Sequence, residues 1–280
     1  MIDPNTIDLD FHFDGLLEGF PTEDEMLRSE VAKPFPREWL IDKSEWRDRI
    51  EEHKKYKTFA EDYSGRKVHQ GSSHECVSMS ATLCFETTYN RQMSGLGHQV
   101  WFSPLSLYTR VTGGRRYGGS SVISTVWKMM SDDGGMIPEH DGPEGKNSQY
   151  EKFKHTVHQT SGRSEPWWPT KGWINPRELP NGWESIAEHF RVLECFTIPS
   201  AEAHISCLLG SPSLAISNGR SGHSLSHQSV VYDNGRFYSR YQDSYGDRYG
   251  HDSLRMLGGG YCIRAVTMPH DPKNPAESTD

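Results

Sequence analysis

The chain has 280 residues, of which 34% are hydrophobic, with a formal net charge of −8 and five cysteines. That charge and the lack of any Lys/Arg-rich run exclude a nucleic-acid footprint, and no apolar run approaches a membrane span. A mean hydropathy of −0.74 points to long polar loops around the substantial core that a chain of this length can bury.

Residues 1–35 are acidic with isolated apolar side chains (Phe11, Phe13, Leu16, Leu17, Phe20) and are expected to form an arm over the surface. The start, Met1-Ile2-Asp3-Pro4, lacks the basic and apolar regions of a signal peptide. Glu45 to Lys55 is charge-rich and predicts a solvated helix. His69-Gln70-Gly71-Ser72-Ser73-His74-Glu75-Cys76 reads as a glycine turn feeding a helix, with Met79 and Leu83 one turn apart and Phe85 extending the apolar side. Cys76 then sits at a helix N-terminus, where unpaired N–H groups and the macrodipole favour a thiolate. The turn can fold the Gln70 amide beside the sulfur. A nucleophile with an amide donor alongside suits acyl transfer.

Val122 to Met130 predicts an amphipathic helix that Gly134-Gly135 ends. Gly118-Gly119 reads equally as a plain turn or as a place where another backbone can approach closely. Residues 140–182 hold many Trp and Pro without periodicity, so loop structure is expected. Arg191 to Ile198 is strand-like, Ser200 is the candidate N-cap of a short helix closed by Gly210, and Leu214-Ala215-Ile216 is a buried strand. Ser226 to Tyr232 reads as a strand beginning at His227. Asp233-Asn234-Gly235 turns the chain into a strand from Arg236 to Gln242. The Pro- and charge-rich tail, 267–280, is expected to be flexible.

The order of these features resembles the papain-like cysteine peptidases. Gln70 and Cys76 match the family's Gln-Gly-Ser turn and its nucleophile, although Ser73-His74-Glu75-Cys76-Val77 keeps only the cysteine of the usual five residues. His227 follows Cys76 by roughly 150 residues, as the family's histidine does. Asp243-Ser244-Tyr245-Gly246-Asp247-Arg248-Tyr249-Gly250 resembles Asn-Ser-Trp-Gly-x-x-Trp-Gly, with Asp for Asn. Gly260-Tyr261-Cys262-Ile263-Arg264 resembles the closing strand. The resemblance covers residues 36–266 and implies an α+β, two-lobe fold. A helical lobe (36–139) carries the Cys, a junction spans 140–182, and an antiparallel β lobe (183–266) carries His and Asp.

It further implies hydrolysis of peptide or amide bonds in a polypeptide substrate, with no cofactor and no metal. Cys76 is the nucleophile, His227 the acid/base, Asp243 its orienter and Gln70 the oxyanion donor; Gly118, Gly119 and Tyr245 face substrate. His223 is the rival base; the offset to Asp243 and the strand start favour His227. His204-x-x-Cys207 and the group His69, His74 and Cys76 are too incomplete for a zinc site. Ser73 and Arg116 stand where family members commonly bridge two cysteines. With five widely spread cysteines this suggests a reducing compartment, the cytoplasm. A second expectation is a papain-like fold with weak or no activity, serving an assembly such as a viral particle through both termini.

Overall fold

The computed structural model describes residues 20–63, 68, 70, 74–96, 99–113, 119–140, 179, 182–220, 222–244 and 249–267. Gly118, Arg116, Ser73 and Tyr245, the first nineteen residues, most of 140–182 and the tail lie outside the described residues, and so do the expectations placed on them.

Seven α-helices order the described chain: α1 (Glu23–Arg28), α2 (Trp46–Tyr56), α3 (Cys76–Gln92), α4 (Pro104–Thr112), α5 (Val122–Met130), α6 (Trp183–Ala187) and α7 (Ala201–Leu209). The strands are β1 (Trp101–Phe102), β2 (Pro138–His140), β3 (Val192–Thr197), β4 (Ile216–Arg220), β5 (His223–Asp233), β6 (Arg236–Gln242), β7 (Tyr249–Ser253) and β8 (Tyr261–Val266). β1 pairs with β2. The other six form one antiparallel sheet in the order β3-β8-β4-β5-β6-β7.

Local signals account for many boundaries. Hydroxyls of Ser103, Ser121 and Ser200 accept a backbone N–H from Ser106, Ser124 and Ala203, capping α4, α5 and α7. Between β5 and β6, Asn234 (φ 47°) and Gly235 (φ 78°) both adopt left-handed backbone, as a two-residue hairpin turn demands.

The central helix α3 lies against β5 and β8 on one side and α4 on another. Fifteen of its residues, Cys76 through Asn90, are buried, so it has no solvent face over that length. Its hydroxyls tolerate this by bonding backwards: Thr82 Oγ1 donates to the Ser78 carbonyl at 2.7 Å, and Thr87 Oγ1 to Cys84 at 3.1 Å. Phe85, Tyr89, Phe102 and Phe190 pack edge to face beside it. Leu83 is 1% exposed and meets Met79 and Val68. Leu83→Ala should therefore cost about 2–5 kcal/mol in denaturant unfolding; a change below about 0.5 kcal/mol would mean that the helix is held elsewhere.

From residue 20 onward, the acidic segment is more than an arm laid on the surface. Met26 and Val31 are buried, Lys33 makes a parallel bridge to Phe196, and Thr197 Oγ1 donates to Glu23 Oε1 at 2.8 Å. It closes the β3 edge of the sheet. Helix α2 is likewise only partly solvated, since Trp46, Ile50 and His53 turn inward.

Candidate active site

Cys76 is the first residue of α3 and 0% exposed. The histidine whose charge Cys76 supports is His223, at the first position of β5. Nε2 of His223 lies 2.9 Å from Asp243 Oδ1. With Nε2 committed to the carboxylate, Nδ1 is the nitrogen left for sulfur. Burial favours the neutral ring, but Asp243 and Cys76 outweigh it and push the imidazole up to about 10. His223 is thus held as imidazolium between a carboxylate and a thiol.

His227, the base expected from spacing, lies elsewhere. It is 1% exposed, its Nδ1 is 2.8 Å from Ser239 Oγ, and its Nε2 is 3.8 Å from Asp252 Oδ2. His204 Nε2 reaches the same Ser239 hydroxyl at 3.1 Å, and the two rings meet edge to face at 4.7 Å. Burial pulls His204 down to about 3, so it is neutral. This is a buried polar tie between α7 and strands β5, β6 and β7.

Sheet register explains the exchange. β5 begins four residues before the expected start, and Ser226 pairs with Gln242, His227 with Tyr241. Asp243 continues past Gln242 in the antiparallel direction, alongside the first residues of β5. It therefore meets His223, not His227.

Gln70 is 0% exposed and tied to the residue after Asp243: its N–H donates to the Ser244 carbonyl at 2.7 Å, and Ser244 Oγ donates to Gln70 Oε1. Anchoring the amide oxygen fixes the plane of the Gln70 amide. Ser244 was not singled out from the sequence as a site residue. Its place directly after Asp243 is the signal that could have found it. Gly119 is buried with φ 60°.

All five cysteines are unbridged and buried. Burial raises the thiols of Cys84, Cys195 and Cys207. Among the described residues no group of three or more His, Cys, Asp or Glu could hold a metal ion, and no helix is long and apolar enough to cross a membrane.

The charge on His223 has a stability consequence. Its folded-state value lies above the ordinary imidazole value of about 6.5, so the native state holds a proton that the unfolded state releases first. The contribution, on the order of a few kcal/mol, is fully present below about pH 6.5 and is lost as pH rises through about 10. Urea unfolding between pH 6 and 10.5 should show this decline, and Asp243→Asn should shift it toward lower pH by removing the carboxylate. A decline unmoved in Asp243→Asn would place the titration on another group.

No protein-family model matches the sequence, and no curated protein matches it significantly. Solved structures do. Procathepsin B S9 from Trypanosoma congolense is 11% identical, with 90% of this chain and 88% of that one covered and a TM-score of 0.56. Xylellain, a cysteine protease from Xylella fastidiosa, is 12% identical over 72% of this chain and 83% of its own, with a TM-score of 0.48. The bromelain protease from Ananas comosus in complex with the E64 inhibitor is 13% identical over 75% and 97%, with a TM-score of 0.46. The chain has the mixed helical and antiparallel fold of the papain-like cysteine proteases.

Proposed function

We propose that the chain is a thiol hydrolase that cleaves peptide or amide bonds through an acyl-enzyme on Cys76. One observation carries this reading: His223 is held between Cys76 and Asp243 at the N-terminus of a buried helix. Cys76 as thiolate attacks the carbonyl carbon, and electrons move to the carbonyl oxygen. Gln70 Nε2 and the Cys76 backbone N–H donate to that oxyanion. His223 gives its Nδ1 proton to the leaving amine as the tetrahedral species collapses. It then takes a proton from water, which attacks the thioester and releases the acid with the thiol regenerated. Asp243 fixes the tautomer and favours the imidazolium.

A second reading, a papain-like fold with little turnover that serves as a structural component, is favoured by one fact: Cys76 is fully buried. Iodoacetamide labelling of the native chain at pH 6, with adducts mapped by mass spectrometry, separates the two. For the hydrolase, Cys76 should react first and alone, because it has both the helix terminus and the imidazolium. Labelling of Cys84, Cys195, Cys207 or Cys262 at the same rate would sink the thiolate reading.

A further inference from the structure

At the opposite end of α3 from Cys76, about 22 Å away at ~1.5 Å per residue, lies a cavity of about 510 Å³. Its walls include Arg49, Tyr56, Thr58, Tyr63, Arg91 and Ser213. A neighbouring cavity of about 280 Å³ shares Arg49 and adds Arg264. The mechanism above uses none of these side chains.

Arg91 is the informative one. One end of its guanidinium donates to the Arg264 carbonyl at 3.0 Å, while its Nε is buried with no hydrogen-bond partner. Among the described residues no carboxylate pairs with it. Burial, the largest effect, and the charge of Arg264 disfavour its cationic form, while Tyr63 and Cys207 partly offset them. A guanidinium in that position is costly unless an anion meets it. Its place in the last turn of α3 suits the helix dipole, but the dipole needs only a nearby charge, not a sealed Nε.

The rest of the wall suits the same ligand chemistry. Ser213 is 3% exposed and accepts the Ala60 N–H at 3.1 Å, which leaves its own O–H to donate. Among the described residues Arg49 is held only by an exposed contact to Glu45 at 3.4 Å, worth little, so its fork can turn inward. The Tyr56 ring stands 61% exposed at the rim. Glu52 is the one carboxylate on the wall, against two arginines. Planar forks on Arg49 and Arg91 match the oxygens of phosphate or carboxylate groups, and the volume suits a small molecule.

We propose that this cavity binds a small polyanion, a phosphate- or polycarboxylate-bearing molecule, with the half-buried Arg91 as its anchor, Arg49 as a mobile second fork and Ser213 as a neutral donor. The protein's overall charge of −8 repels anions, so saturable binding reports a built site rather than general attraction. The proposal does not rest on the thiol-hydrolase reading.

Isothermal titration calorimetry of the full chain with pyrophosphate and, separately, with citrate, at constant ionic strength in chloride, tests it. Saturable one-to-one binding of at least one of them is expected. Arg91→Met, which keeps the apolar stem, should weaken it about tenfold or more. Near-UV circular dichroism checks that the variant keeps its tertiary packing. Binding of pyrophosphate alone identifies a phosphate ligand, and of citrate alone a polycarboxylate. Should Arg91→Met fail to fold, Arg91→Lys keeps the charge but loses the fork, and must also bind more weakly. No saturable binding of either anion to the wild-type chain, or unchanged affinity in the folded Arg91 variant, would overturn the site.

Discussion

His223→Ala is expected to lower kcat/KM on a peptide ester or amide by at least about three orders of magnitude, while His227→Ala keeps most of the turnover per folded molecule. The two histidines lie four residues apart on β5, yet their surroundings differ in kind. His223 faces a thiol and a carboxylate, so its loss removes both the stabiliser of the thiolate and the acid that protonates the leaving group. His227 faces Ser239 and Asp252 in the interior, so its loss strands buried partners. That should appear as a lower midpoint, by about 1–3 kcal/mol, rather than as a dead enzyme. Titrating Cys76 alkylation against pH in both variants adds a readout independent of substrate. A dead but well-folded His227→Ala beside an active His223→Ala would reverse the assignment.

Features written in nearby residues were legible. The bounds of α5, the serine cap of α7, the Asn234-Gly235 turn and the start of α3 at Cys76 all follow from short-range chemistry. Asp243 was marked only by the resemblance of its segment to the family's Asn-Ser-Trp-Gly run. Which histidine it holds was not legible, because only cross-strand register decides that. Residues 223 and 227 share the parity of one strand face, and a spacing count cannot tell them apart. The full burial of α3 was hidden for a similar reason. Thr82 and Thr87 satisfy their hydroxyls on preceding carbonyls and Thr88 on the Ile263 carbonyl, so these polar residues can be enclosed. The segment from residue 20 looked like a surface arm because its one bridge to β3 joins residues far apart in sequence.

Gln70→Ala should lower kcat by about 10²–10³ and leave KM nearly unchanged. One oxyanion donor is worth that much, and it acts on a charge that exists only in the transition state. The structure adds a way to separate this role from a packing role. Gln70 is fully buried and its amide oxygen is held by Ser244, so the direction of the Nε2 hydrogens depends on that hydroxyl. Ser244→Ala should then reproduce a smaller part of the same loss, in kcat rather than KM, while the backbone bond from Gln70 N–H to the Ser244 carbonyl keeps the two segments together. The double variant should fall little below Gln70→Ala alone, because the hydroxyl acts through the amide it orients. Additive losses would mean that Ser244 works on Asp243 instead, and a rise in KM with unchanged kcat in Gln70→Ala would make the amide a substrate-binding group.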